Sequence, residues 1–138
     1  MFVRRNGVDQ PTERDQGDMR AFERVMHTRW NWRISQVVGN DVTVELTESN
    51  DFYDALGLGQ RSQTTVYSVE RGKIFRTETT NIRHARGGEY RPALAKFMDW
   101  LMAKPAAGDV RIVRGRELVF DAGSARALRP WLKRYPSR

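Results

Sequence analysis

The chain has no cysteine and only two histidines, His27 and His84, among its 138 residues. Without cysteine there is no disulfide, thiolate metal site or cysteine nucleophile, and two histidines leave little material for a histidine metal site. No apolar run approaches the roughly 18–20 residues of a membrane span. The N-terminus turns charged at once and lacks the apolar core of a signal peptide. These absences predict a cytoplasmic protein with no metal site and no membrane association.

Motifs that cradle nucleotides or carry hydrolytic chemistry are also absent. The chain contains no G-x-G-x-x-G, no P-loop, no G-x-S-x-G and no H-E-x-x-H. This argues against enzymes that depend on a bound nucleotide, a serine elbow or zinc. The length suits one domain with a single core, so we predict a single domain over residues 1–138.

Lysine is scarce, and the net charge of +7 comes mainly from arginine. Residues 36–60 carry five acidic groups and no basic one, whereas residues 110–138 carry eight basic and two acidic groups. A basic C-terminal segment would attract nucleic acid or another polyanion. The alternative is a solvated, arginine-rich surface, which we favour because no nucleic-acid-binding motif accompanies the charge.

The stretch that organises the chain is residues 32–80, where apolar and polar side chains alternate with the period of a strand. Turn signals at Gly39-Asn40 and around Gly72 divide this stretch into two hairpins. The aromatic-rich insertion NDFYDALG lies between them and predicts one helical turn, capped by Ser49 or Asn50. The pattern is typical of a β-meander of about four strands.

Before the meander, residues 1–17 are predicted to form a strand remnant and a loop, with a turn at Asn6-Gly7. Residues 18–30 predict a helix whose apolar stripe ends at Trp30, with Asp18 as its N-cap. His27 lies beside that stripe, and we interpret it as a half-exposed helix residue rather than a catalytic base.

The segment after the meander, residues 81–138, is predicted to be a C-terminal helical extension. It begins with an exit loop over residues 81–88, followed by a helix with Pro92 in its first turn. A small hairpin is expected at Gly115. A last helix then starts at Ser124 as its N-cap, and it either kinks at Pro130 or begins near it.

Two carboxylates of the meander are candidates for chemistry. Val42, Val44 and Leu46 should point to one side of their strand, and Glu45 to the other. Glu78, near the end of the last strand, would lie on the same face as Glu45. Glu45 is therefore a candidate acid/base, and its alternative is an ordinary solvent-exposed carboxylate.

The order of these patterns resembles the nuclear transport factor 2-like superfamily, and within it the bacterial SnoaL-like proteins. The motifs that carry the resemblance are a helix ending in Trp, the strand WRI, then VTVELTESNDFYDALG and TVYSVERGKI, all within residues 18–80. The resemblance implies an α+β fold: a cone-shaped, strongly curved antiparallel sheet packed on helices, with an apolar cavity inside. Family enzymes include polyketide cyclases, ketosteroid isomerases and limonene epoxide hydrolases, which generally need no metal or organic cofactor. Other members are non-catalytic binders or dimerisation modules.

The function implied by the resemblance is binding of a small apolar ligand in the cone, with or without cofactor-free isomerase, cyclase or hydrolase chemistry. Glu45 would be the catalytic residue, and Trp32, Tyr53, Tyr67 and Glu78 would bind the ligand. The alternative is a non-catalytic homodimerisation or interaction domain whose basic C-terminal segment binds a polyanion or a protein partner.

The start of the chain departs from the family pattern. Family members open with a helix pair that closes the cone, and this chain apparently lacks it. The expectation is a truncated start, a lid supplied by another chain, or an open cavity. A truncated copy without function is a further alternative.

Overall fold

A computed structural model describes the backbone of residues 2–5, 8–11 and 13–136, and the side chains of residues 17–136. The fold is α+β, with a four-stranded antiparallel sheet and several helices, as predicted. Along the chain the elements are β1 (Phe2–Arg5), β2 (Val8–Pro11), α1 (Glu13–Val25), β3 (Arg29–Val38), β4 (Asp41–Ser49), α2 (Asp51–Ala55), β5 (Arg61–Glu70), β6 (Lys73–His84), α3 (Tyr90–Met102), a 3-10 helix (Pro105–Gly108), β7 (Val113–Arg114), β8 (Glu117–Leu118) and α4 (Ala122–Arg134). None of the described helices is both long and apolar enough to cross a membrane.

The chain forms two compact units. The meander unit is Thr28–Ala95 and contains the four-stranded sheet and α2. The helical unit comprises Met1–His27 and Lys96–Pro136 and contains α1 and α4. Helix α3 begins within the meander unit, and its residues from Lys96 onward belong to the helical unit.

The meander unit confirms the predicted order of strands, because its sheet runs β3-β4-β5-β6 with every neighbouring pair antiparallel. Both predicted hairpin turns are present, with Gly39 at φ 57° and Gly72 at φ 75°. These left-handed conformations explain the glycines, since a Cβ there would be strained. Two boundaries were wrong. Trp30 belongs to β3 rather than to the preceding helix, and β6 extends to His84, through half of the predicted exit loop.

Three bulges interrupt the register of this sheet. Extra residues lie in β3 between Ile34 and Gln36, in β6 opposite Gln63, and in β6 opposite the step from Ser68 to Val69. A bulge bends its strand and increases the local twist. The sheet therefore has bends built in at both of its outer strands.

The register divides the side chains of the sheet into two faces, because directly paired residues share a face. The apolar face carries Trp30, Trp32, Ile34, Val37, Val42, Val44, Leu46, Glu48, Arg61, Gln63, Thr65, Tyr67 and His84. The polar face carries Asn31, Arg33, Thr43, Glu45, Thr47, Thr64, Val66, Glu78 and Thr80. This confirms that Glu45 points away from Val42, Val44 and Leu46.

The short helix α2 packs against one end of this sheet. Asn50 is its N-cap, and the Asn50 side chain accepts a 2.7 Å hydrogen bond from the backbone N–H of Tyr53. Phe52 and Leu56 are buried, which makes α2 part of the core of the meander unit. The predicted single turn, its cap and its apolar contacts are all present.

In the helical unit, the first helix starts earlier than predicted. Helix α1 begins at Glu13, so Asp18 lies inside it and is not its N-cap. Strand β2, Val8–Pro11, replaces part of the predicted loop, and the predicted Asn6-Gly7 turn lies outside the described residues. Met26 is fully buried, and the Arg129 guanidinium donates a 2.9 Å hydrogen bond to the Val25 carbonyl at the C-terminus of α1. A cation at the C-terminus of a helix pairs with a carbonyl that lacks an intrahelical partner, and it interacts favourably with the negative end of the helix dipole.

The last helix, α4, begins three residues earlier than predicted, with Asp121 and not Ser124 as its N-cap. The Asp121 carboxylate accepts a 2.7 Å hydrogen bond from the backbone N–H of Ser124, and the Ser124 hydroxyl oxygen accepts a 3.0 Å hydrogen bond from the backbone N–H of Asp121. These two hydrogen bonds form a capping box. The helix continues through Pro130 without a break. The burial of Leu128 and Leu132 on either side of Pro130 offsets the roughly 3 kcal/mol that an internal proline costs.

The capping box gives a direct test of this fold. We expect Asp121→Ala to lower the free energy of unfolding by about 1 kcal/mol, because it removes the acceptor for a helix N–H. Urea unfolding followed by circular dichroism measures this loss. Arg126→Ala, on an exposed position of the same helix, is the matched control and should change stability much less. Equal losses in the two variants would contradict the assignment of the cap.

Candidate functional site

The five side chains predicted to form a site lie in three different places. Glu45 and Glu78 are on the polar face, opposite Thr64 and Val66 of β5. Trp32 and Tyr67 are on the apolar face, and Tyr53 belongs to α2. The sheet confirms that the two carboxylates share a face. It does not bring all five residues into one site.

Glu45 and Glu78 each have a partner on the polar face. The Thr64 hydroxyl donates a 2.9 Å hydrogen bond to Glu45, and Arg76 contacts Glu78 at 2.9 Å. The register places the two carboxylates two strands and two residues apart, so their Cα atoms are separated by roughly 12 Å. Glu78 is exposed, and an exposed ion pair contributes little to stability. This pair lacks the shared, desolvated setting of a catalytic carboxylate site.

Trp32 and Tyr67 are also far apart. Trp32 lies opposite Leu46 and Tyr67 opposite Val42, four residues along the same strand. That offset corresponds to about 13 Å along the strand. Trp32 is 63% exposed, so it does not line an enclosed pocket.

A different group of polar side chains meets at one end of the apolar face. The register sets Trp30, Glu48, Arg61 and His84 in one row across all four strands. Aromatic rings from α2 and from the start of α3 pack on this row. The sheet-end cluster consists of Glu48, Asn50, Tyr53, Arg61, His84 and Tyr90.

Glu48 is the buried acid of the sheet-end cluster. Its carboxylate lies 3.5 Å from the Tyr53 hydroxyl, 3.5 Å from the Asn50 amide and 3.7 Å from the Arg61 guanidinium. The residue is only 5% exposed. Burial of a carboxylate is costly unless it is paired, and Arg61 supplies the opposite charge.

His84 is the one residue of the cluster whose polar atoms are poorly satisfied. It is 8% exposed, and neither ring nitrogen has a partner with good hydrogen-bond geometry among the described residues. The Gly59 backbone nevertheless acts on the ring, because its hydrogen-bonding effect raises the pKa of His84. The Tyr53 ring packs edge-on against His84, with centroids 5.1 Å apart, and holds the imidazole in place. The side-chain oxygens of Gln63 and Thr28 are also buried without a partner in the described part of the chain.

The protonation states follow from burial and from the neighbouring charges. Burial lowers the pKa of His84; the Gly59 backbone opposes this in part, and the positive charge of Arg61 adds a smaller lowering effect. Burial raises the pKa of the Tyr53 hydroxyl well above its usual range, and the negative charge of Glu48 adds to this. The same two causes raise the pKa of Tyr90. At neutral pH the cluster therefore offers a neutral imidazole and two protonated phenols.

This arrangement suits neutral hydrogen bonding and proton transfer rather than metal chemistry. A neutral imidazole presents one N–H donor and one nitrogen acceptor, and a phenol donates or accepts. Among the described side chains, no three His, Asp or Glu residues are grouped closely enough to hold a metal ion.

Sequence reasoning placed Tyr53 in the site but missed Glu48 and His84. The position of Glu48 could have been recognised from the sequence. It follows Val42, Val44 and Leu46 at the same two-residue spacing, so its carboxylate lies on the same, buried side of the strand. The sequence carried no such signal for His84. It lies beyond the bulge opposite Gln63, which changes the parity of β6, and it was assigned to a loop.

The depressed pKa of His84 predicts acid sensitivity. The unfolded chain takes up a proton near the ordinary value of 6.5, whereas folded His84 does not until lower pH. His84 therefore contributes stability above pH 6.5 that is lost as the pH falls. We expect the free energy of unfolding to decrease between pH 7.5 and 5.5 in the wild type, and to decrease less in His84→Phe. Urea melts at the two pH values measure it, with His27→Gln as the control. Parallel pH dependence in the wild type and His84→Phe would contradict the assignment.

Comparison with known proteins adds no family to this picture. No family model matches the chain, and no curated protein or solved structure is significantly similar to it. The residues of the sheet-end cluster are therefore the basis on which a function is inferred.

Proposed function

We propose that the chain is a SnoaL-like member of the nuclear transport factor 2-like superfamily that binds a small, mostly apolar molecule at the sheet-end cluster. The α+β class and the meander order agree with that family. The three bulges supply the bends that a cone-shaped sheet needs.

The observation that carries the proposal is the buried, poorly satisfied imidazole of His84 beside the Tyr53–Glu48 pair. A buried polar group without a partner costs about 1–3 kcal/mol. The great majority of buried polar atoms in native proteins are satisfied, so an exception requires an explanation. A ligand that hydrogen-bonds to His84 would remove this cost and gain affinity from doing so.

The charges of the cluster indicate which ligand is accepted. Arg61, the cation of the cluster, is already paired with Glu48, which favours a neutral ligand over an anionic one. The protonated Tyr53 and Tyr90 and the neutral His84 suit a neutral oxygen, such as a ketone or a hydroxyl group. The ligand is therefore a largely apolar molecule with one neutral oxygen.

Acid/base chemistry on such a ligand would need no cofactor. His84 is unprotonated at neutral pH and can accept a proton. The Tyr53 hydroxyl, which donates over 3.5 Å to Glu48, would turn from that partner to donate a hydrogen bond to a developing negative charge. Under this proposal, the catalytic role assigned to Glu45 passes to His84 and Tyr53. An isomerase or cyclase acting on a ketone fits these two groups.

Binding of a neutral test panel checks the proposal. We expect cyclohexenone, 2-naphthol or a steroid ketone to shift the amide NMR signals of residues 48–61 and 84–90. Affinity should fall about three- to tenfold in Tyr53→Phe and in His84→Phe, because each variant loses one neutral hydrogen bond.

The matched control is Glu45→Gln on the polar face, which should bind like the wild type. If Glu45→Gln loses binding while the two cluster variants retain it, the site lies on the polar face instead. A panel without any shift at the cluster would remove the ligand-binding function.

A further inference from the structure

A row of large apolar side chains stands uncovered along β3. The apolar row consists of Trp30, Trp32, Ile34 and Val37, which share one face and are 49%, 63%, 55% and 62% exposed. Together they leave on the order of 400–500 Å² uncovered, which is as large as the largest apolar patch of a typical monomer. Such a continuous patch marks an interaction surface.

The backbone of β3 adds to this surface. Among the residues that the structure describes, β3 pairs only with β4, so its other edge offers free N–H and C=O groups over ten residues. A long, apolar edge of this kind is a template for another strand. Natural proteins normally protect such edges with charges, bulges or prolines.

The opposite edge, β6, is protected where β3 is not. Strand β6 carries Lys73, Arg76, Glu78 and Arg83 and is interrupted by two bulges. Strand β3 has only Arg29 and Arg33, both on the polar face, and its single bulge follows Ile34. The contrast identifies β3, over its regular segment from Arg29 to Ile34, as the edge open to a partner.

We propose that β3 pairs with β3 of a second copy in an antiparallel, two-fold arrangement centred on Trp32. A partner copy must place side chains of the same face opposite one another, which restricts the symmetric registers. Centring on Asn31 would set Arg29 against Arg33, and centring on Arg33 would set that residue against itself. Like charges directly opposite are destabilising. Centring on Trp32 avoids both conflicts.

In this register the two copies are complementary. Trp32 lies against its own symmetry mate, Trp30 lies against Ile34, and Arg33 lies against Asn31. Aromatic–aromatic and aromatic–β-branched pairs are the stabilising cross-strand combinations. The meander unit carries nine basic and eight acidic residues, so its net charge of +1 does not oppose self-association. The apolar rows contribute at most about 800–1,000 Å², so the main-chain pairing has to supply the remainder of the roughly 1,200 Å² at which stable interfaces begin.

Sedimentation velocity and light scattering on the full chain test this pairing. We expect the wild type at 1–200 µM, on the order of typical interface affinities, to have twice the monomer mass of 16.0 kDa. Trp32→Ser/Ile34→Ser should be monomeric with an unchanged circular dichroism spectrum. The matched control is Ile74→Ser/Phe75→Ser, which removes equally exposed apolar groups from β6 and should remain dimeric.

The register is tested separately, with the apolar row intact. The chain has no native cysteine, so a mixture of Asn31→Cys and Arg33→Cys proteins reports only the introduced thiols. Directly opposed positions have Cβ atoms about 4.5–5.5 Å apart, close enough for a disulfide after a small adjustment. The mixture should form disulfide dimers under mild oxidation, and neither variant alone should do so at a comparable rate.

The proposal would be overturned if the wild type stays monomeric up to the highest concentration, or if Trp32→Ser/Ile34→Ser dimerises like the wild type. Open-ended polymers would also overturn it, because they indicate pairing of β3 with β6. The register would be overturned if the Thr77→Cys protein, whose introduced cysteine lies on β6, forms disulfide dimers as fast as the mixture of Asn31→Cys and Arg33→Cys proteins.

Discussion

The cross-strand register of the meander is the constraint on which the rest of this structure depends. A slip of one residue in any pair of strands would move every side chain of the slipped strand to the other face. In the observed register, Glu48, Arg61 and His84 lie side by side on the apolar face, and Glu45 and Glu78 lie on the opposite one. The two hairpin turns and the apolar set Val42, Val44 and Leu46 hold this register in place.

The apolar face of the sheet is buried in one part and exposed in another. At the end of the sheet covered by α2 the face is closed, and Glu48 of β4 and His84 of β6 are buried there. At the outer strand β3 the same face is open and apolar. Trp30 and Glu48 are direct partners in one row, so the ligand-binding cluster and the dimer interface proposed above are adjacent.

Much of the meander was predictable because its signals are local. The turns at Gly39 and Gly72, the cap Asn50 and the alternation around Glu45 each act within a few residues. Errors arose where a distant contact decides the outcome. Trp30 joined a strand because its partner Glu48 is eighteen residues away. The cap of α4 was a local error, since Asp121 and not Ser124 is the N-cap.

The candidate site was harder to predict than the fold for the same reason. The five predicted residues were chosen by type and local parity, and only the register shows that they fall on different faces. His84 enters the site through the bulge opposite Gln63, a feature that alternation of side chains cannot reveal. Burial and lack of partners, the properties that single out His84, exist only after the strands have paired.

Backbone NMR measures the central claim, the register, most directly. Cross-strand NOEs between Glu48 and Arg61, and between Arg61 and His84, are the predicted result, since the register makes these residues direct partners. NOEs linking Arg61 to Arg83 instead would show β6 slipped by one residue. That result would place His84 on the polar face and contradict the sheet-end cluster.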